Sequence, residues 1–295
     1  PSGTVAVKIV PTITSPEEAD GFKLSHHHGD GGGTVAVKIV QGKASFYRQA
    51  QTEISILRQL NAADVHGHHV IRLQDAFMHG PHVCMVFPVL ADSLYDLLLK
   101  TAFRGVSLHL VRKFGAQLLR SLQFIGSQGI VHTDLKPENV LLVHARRSGV
   151  RVIDFGSSCR ESQSSTSSPA PCVYIQSRFY RSPEIMLGLP WGRPIDMWSL
   201  GCMLFELHEG RPLFNGNDEA EQLALLNSSL GCTPSQEQIA SMPADKRERF
   251  FKLDGNAASG GSYKLRCPHP QRARPSLEGR LLKCMHSRHA TGEAS

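Results

Sequence analysis

The chain has no apolar run approaching the roughly 18 residues of a membrane span, and its longest candidate, residues 83–90, is broken by Pro88. No secretory signal opens it and no C-x-x-C pair occurs among its seven cysteines, an odd and scattered set. These gaps argue against a membrane protein, a zinc module and a disulfide scaffold, and lead us to expect a protein of the reducing cytosol or nucleus. Acidic surplus is also missing. The formal charge is +6, and residues 264–289 hold seven Lys/Arg against one Glu, which accounts for the whole imbalance. That stretch suits an acidic partner or nucleic acid on charge alone, but reads first as a solvated, poorly ordered basic tail. What remains, with 41% apolar and 20% charged residues over a length of 295, is the composition of a globular protein with one two-lobed domain or two small ones.

An octamer, Gly3 to Val10, recurs letter for letter as Gly33 to Val40. Two copies are too few for a solenoid, so this is a local duplication of one strand-like segment. Residues 11–32 between the copies, rich in Pro, Gly, Asp and His, read as a linker. The residues downstream of each copy decide between them. After the second, Phe46, Ala50, Ile54, Leu57 and Leu60 fall at helical spacing, with Glu53 beside the stripe and fifteen residues after Lys38. After the first, the fifteenth residue is Lys23, and Pro11 and Pro16 oppose a helix. The second copy is expected to be the working strand, with Ala36 and Lys38 on one face and Glu53 holding the lysine.

Farther on, residues 70–77 and 82–90 read as a strand pair joined at His79-Gly80-Pro81. Ser107 can cap a helix whose stripe runs Val111, Phe114, Leu118, Leu122, Ile125. Residues 140–143 and 150–153 are short strands, 157–171 a polar loop, and 195–207 a helix apolar nearly all round. Strands first and helices later indicate an α+β fold.

The chemistry is carried by His132-Thr-Asp-Leu-Lys-Pro-Glu-Asn139 and, fifteen residues on, Asp154-Phe155-Gly156. Asp134 can accept the proton of an attacking hydroxyl, and Lys136 can set a compact cation beside a migrating phosphoryl group. Asn139 and Asp154 offer hard oxygen ligands to magnesium. Tyr174 is followed by Arg178 and Arg181, two guanidinium forks suited to a phosphate dianion or, more plainly, to carboxylates.

These motifs, together with residues 152–159, 174–181 and 195–202, resemble the dual-specificity tyrosine-regulated kinases, and residues 94–98, 103–108 and 111–114 look like that family's minibrain branch. The likeness runs from about Gly33 to Gly255. It implies a bilobal protein-kinase-like fold with a small sheet lobe over residues 33–90, a helical lobe over 91–255, and a tail over 256–295. It implies ATP and Mg2+, transfer to Ser/Thr of protein substrates, and autophosphorylation of Tyr174. We also expect a monomer, without membrane or nucleic-acid partners. By the same resemblance Phe87 is the gatekeeper, Pro88 and Leu90 present backbone groups to adenine, and Leu141 and Ile153 sandwich the ring. Thr133 departs from the family, as does Pro88. So does the absence of a phosphate-covering glycine loop, since Gly29 and Gly31 to Gly33 run straight into the Lys38 strand. No last pair of helices and no arginine to meet Glu184 are evident after Gly255. The expectation is therefore an incomplete kinase domain with weak nucleotide binding, and the alternative is a non-catalytic binding module.

Overall fold

The computed structural model describes residues 34–161, 175–231, 234–255, 262–266 and 277–281, and the backbone alone of 4–11. A four-stranded antiparallel sheet comes first. Its strands are β1 (Thr4–Pro11), β2 (Thr34–Val40), β3 (Asp75–His79) and β4 (His82–Pro88), in the order β1-β2-β4-β3. The two copies of the duplicated octamer thus lie side by side, with Val7 opposite Lys38 and Lys8 opposite Val37. The alternation of β2 divides it between two layers. Val35 and Val37 bury with Cys84 and Val86 on one face, while Ala36 packs against the main core on the other.

Helix α1 (Ala44–Ala63) comes after β2 and buries Ala50, Ile54, Leu57 and Leu60, the stripe read from the sequence. The strand expected from Val70 starts only at Asp75, because the residues before it are satisfied elsewhere. The Asn61 side chain accepts from the Leu73 amide at 2.7 Å and donates to the Ile71 carbonyl at 3.0 Å. The Ile71 amide donates to the Val152 carbonyl at 3.0 Å.

The helical part contains α2 (Leu94–Lys100), α3 (Leu108–Ser127), α4 (Pro183–Leu187), α5 (Pro194–Glu209), α6 (Glu219–Leu230), α7 (Gln236–Ser241) and α8 (Ala244–Phe250). Ser107 caps α3 by accepting from the Leu110 amide at 3.3 Å. Val111, Phe114, Leu118 and Ile125 then bury against α5, each large side chain worth roughly 1.5–3 kcal/mol over exposure. Helix α5 is buried nearly all round and stops at Gly210, whose φ is +83°. A Cβ there would lie 1.9 Å from the Phe103 carbonyl oxygen, so only glycine lets the loop after α2 close onto α5.

Among the described residues there are also three two-stranded ladders. They pair β5 (Ile130–Val131) with β8 (Cys159–Arg160), β6 (Val140–Leu142) with β7 (Val150–Val152), and β9 (Phe251–Asp254) with β10 (Ser262–Leu265). Strand β10 and a helical turn at 277–281 fall in the segment read as a tail. The turn carries Arg280, whose guanidinium lies 4.5 Å from the Phe205 ring and donates to the Leu213 carbonyl and to Glu209. Arg280 therefore meets Glu209 and not Glu184. Among the described residues no helix is long and apolar enough to cross a membrane.

Candidate active site

Strand β2 and helix α1 bring Lys38 and Glu53 together, the pairing expected from the second copy. The Lys38 ammonium donates to both Glu53 oxygens at 2.8 and 3.0 Å and to Asp154 Oδ1 at 2.8 Å. Burial alone would lower the Lys38 pKa, but the two carboxylates outweigh it and hold the ammonium above its usual range. Glu53 is 3% exposed, and its burial pushes its own pKa up in spite of the lysine. Burial pushes Asp154 the same way, but Lys38 overrides it and holds that carboxyl below its ordinary value. Two carboxylates face one ammonium, so the cluster retains negative charge for a further cation.

Asp154 has a φ of +59° and Thr133 one of +67°. Such a conformation is costly for a β-branched residue, and surrounding bonds hold it. The Asp196 carboxylate, at the start of α5, accepts the His132 amide at 2.7 Å and the Thr133 amide at 2.9 Å. Thr133 Oγ1 donates to the Ser157 carbonyl at 2.7 Å, and the Thr133 carbonyl accepts from the Gln176 amide at 2.9 Å. Thr133, one of the departures from the family pattern, is thus spent on tying the loop to the segment after Asp154. The His132 ring meets the Phe155 ring edge-on at 5.0 Å and its Nε2 lies 3.0 Å from the Ile153 carbonyl.

On this frame Asp134 and Lys136 form an ion pair of 2.8 Å. Asn139 Nδ2 donates to the Asp134 carbonyl at 2.8 Å, leaving Asn139 Oδ1 as its remaining ligand atom. Ser177 joins them. Its amide and its hydroxyl donate to Asp134 Oδ1 at 3.0 and 2.8 Å, and Lys136 donates to the same hydroxyl at 3.0 Å.

Ala36, Phe87, Leu90 and Ile153 share one apolar cluster, and Ala36 stands opposite Phe87 in the β2–β4 ladder. Pro88 closes β4 opposite Val35, and Leu141 lies half-buried on β6. Four of the six residues expected at the ring thus share that cluster, while Pro88 and Leu141 lie outside it.

Residues 22–253 match the protein kinase domain family. This chain belongs to that family. Over 218 residues, 74% of its length, it is 46% identical to the dual specificity tyrosine-phosphorylation-regulated kinase 3 of Rattus norvegicus. It is 47% identical over the same share to dual specificity tyrosine-phosphorylation-regulated kinase mbk-2 of Caenorhabditis elegans. The match spans 36% of the rat kinase and 26% of the nematode kinase, so the chain corresponds to only part of each. The resemblance read from the motifs to the dual-specificity tyrosine-regulated kinases is therefore a family membership.

The activation-segment residues are placed less completely. Tyr174 and the glycines at 29 and 31–33 lie outside the described residues. Arg181 is 1% exposed, ion-paired to Glu219 at 2.9 Å and bonded to the carbonyls of Ile175 and Gln176. Arg178 donates to the Asn217 carbonyl. Both forks, read as suited to a phosphate, already hold protein acceptors because α6 and the loop before it pack against this segment.

Kinase residues that sequence reasoning passed over are Asp196, Ser177 and Gln176. Gln176, with a φ of +61°, donates to Ser199 Oγ at 2.8 Å and accepts the Ser182 amide at 2.9 Å. The one available signal was an acid, Asp196, in the first turn of a largely apolar helix. Glu206, on the same helix, accepts the Tyr180 hydroxyl at 2.6 Å, and its burial raises its pKa to about 7.

Proposed function

We propose that this kinase-family chain transfers the γ-phosphoryl group of ATP to Ser and Thr hydroxyls of proteins, and once to its own Tyr174. The observation that carries this reading is the Lys38–Glu53–Asp154 cluster set beside the Asp134–Lys136–Asn139 loop. In the reaction the acceptor oxygen bonds to the γ-phosphorus, the bond from that phosphorus to the bridging β-oxygen breaks, and the acceptor proton passes to Asp134. The Ser177 hydroxyl on Asp134 Oδ1 supports this role, because that carboxylate already accepts an alcohol donor there.

Lys136 sits within reach of the same hydroxyl and offers positive charge to the transferred group. Lys38, held by Glu53, orients the phosphates, and Ala36, Phe87, Pro88, Leu90, Leu141 and Ile153 form the adenine slot. Asn139 Oδ1 and the outer oxygen of Asp154 suit Mg2+, which takes one or two protein oxygens and fills its shell from phosphates and water. Bound there, the ion would offset charge on the phosphate oxygens.

Beside Ser177 lies a cavity of about 390 Å³ whose lining includes Glu138, Glu206, Arg178, Tyr95 and Phe103. Arg178 is drawn to the Asn217 carbonyl, and the two acids and aromatic walls that remain favour a basic side chain of the acceptor protein near its hydroxyl. A phosphate on Tyr174 would add about −1.5 to −2 charge to the activation segment. The non-catalytic alternative has less support, because each residue the reaction needs stands beside its partner. The free thiols of Cys84, Cys159 and Cys202 are consistent with action in the cytoplasm or nucleus, as a monomer.

The test is transfer of radiolabelled phosphate to a Ser/Thr peptide carrying basic residues. Incorporation that depends on Mg2+ and stops with a chelator is expected; incorporation indifferent to Mg2+, or none from folded protein, contradicts the reading.

A further inference from the structure

Residues 97–133 and 139–153 contain eight Lys/Arg and not one Asp or Glu. Ordinary protein surfaces intersperse the two signs, so two acid-free stretches that fold against each other set up a local field. They do fold together, and Gln117 is the joint. Its Nε2 donates to the Ser148 carbonyl at 2.7 Å, and its Oε1 accepts the Val150 amide at 3.2 Å. The β6–β7 turn carrying Arg146 and Arg147 is thereby fixed on the flank of α3.

Lys113, Gln117 and Arg120 are spaced by four and three residues, so they share one stripe of α3 beside that turn. Next along the helix, the Ser121 hydroxyl donates to the His69 carbonyl at 3.2 Å, bringing in the loop that bears Arg72. Lys113, Arg120, Arg146, Arg147 and Arg72 are all exposed.

The acids nearest these elements along the chain are Asp64, Asp75 and Asp92, and each is occupied; Asp75 accepts the Ala76 amide at 2.8 Å. Asp64 accepts the amides of His68, His69 and Val70, and those bonds hold its carboxyl below the usual range against the opposing effect of burial. Asp92 is engaged by Lys100. Among the described residues none of the five exposed cations forms an ion pair with a side chain. Because the +6 formal charge of the chain is accounted for by residues 264–289, the rest is near neutral. The cations on this face are therefore a segregation of charge and not a general excess.

We propose that the face built from α3, the β6–β7 turn and the loop before β3 is a docking surface for an acidic polypeptide segment, separate from the catalytic cleft. The observations favour a peptide over nucleic acid. The cations are spread over three separate elements pinned by side-chain bonds, and among Lys113, Arg120, Arg146 and Arg147 no exposed Phe, Tyr or Trp offers a stacking platform, the one ring in the turn being the small imidazole of His144. At physiological salt, charges within about 8–10 Å act together, so several carboxylates along one strand can engage the patch at once.

The probe is a fluorescent peptide of alternating Glu and Gly, titrated with the full chain by anisotropy at low and physiological salt. R146E/R147E changes only exposed turn residues, and K113E is a second variant on the helix; thermal melts establish that both are folded. Binding is expected to weaken about tenfold or more with the double variant, from two exposed pairs turned from attraction to repulsion. K113E should weaken it as well, while transfer to a short basic peptide stays unchanged. Equal peptide binding by wild type and both variants would assign any affinity to residues elsewhere and overturn the proposal. So would a labelled single-stranded oligonucleotide that binds through Arg146 and Arg147 when the acidic peptide does not.

Discussion

Replacing Asp196 by Ala isolates the carboxylate on which the catalytic loop hangs. Asp196 is 4% exposed and accepts two backbone amides, at 2.7 and 2.9 Å. Alanine leaves both donors buried without a partner, at about 1–3 kcal/mol each, or roughly 2–6 kcal/mol together. Part of that is offset because a desolvated carboxylate leaves the core, so a net loss of about 2–4 kcal/mol is expected. Against a total stability of roughly 5–15 kcal/mol this is a large fraction. The same amides hold Thr133 at its φ of +67°, so the loop that carries Asp134 should relax as well. Urea unfolding followed by circular dichroism gives the stability, and steady-state peptide phosphorylation gives kcat. A loss under about 1 kcal/mol, or a folded variant with wild-type kcat, would refute the reasoning.

Other changes have equally definite outcomes. Glu53→Gln removes the charge that holds Lys38, so kcat/KM for ATP should fall about tenfold or more while the melt moves little; unchanged kinetics would remove Glu53 from the site. Glu206, with its pKa raised to about 7 from the ordinary 4.5, keeps its proton in the folded state over a range where the unfolded chain loses it. Stability should therefore fall by roughly 3 kcal/mol as pH rises from about 4.5 to 7, and Glu206→Gln should flatten that slope in urea melts taken across the range. Gly210→Ala puts a methyl on the Phe103 carbonyl and should cost about 3 kcal/mol or more by the same melts. Peptide mapping of catalytically active protein made in bacteria should find one phosphotyrosine, at Tyr174; active protein without it contradicts autophosphorylation.

The sequence was legible wherever neighbours along the chain decide the outcome. The fifteen-residue interval from Lys38 to Glu53 singled out the working copy of the octamer, since a strand and a helix of that length close one ion pair. The α3 stripe and the Ser107 cap are equally local. What was not legible depends on packing between distant segments. Val70 to Leu73 have strand-like composition, yet Asn61 and Val152 take their backbone groups, and the strand starts later. Asp196 reads as a polar residue opening a largely apolar helix until the fold brings it to His132, 64 positions earlier in the chain. Arg178 and Arg181 look like a phosphate clamp in sequence because Glu219 and Asn217, which engage them, come about forty residues later. Strand β10 escaped notice for a related reason: four residues carry little pattern until they face β9.

The central claim is that Asp134 takes the proton of the acceptor hydroxyl in a site built by Lys38, Asp154 and Asn139. Asp134→Asn keeps the shape of that side chain and removes its basicity, while the replaced carboxylate is the one that accepts from Ser177 and Lys136. With matched thermal melts for the two proteins, radiolabel transfer to a Ser/Thr peptide at saturating Mg2+ and ATP is the decisive measurement. The account predicts a fall of about 10²–10⁴ in turnover; turnover equal to wild type would contradict it.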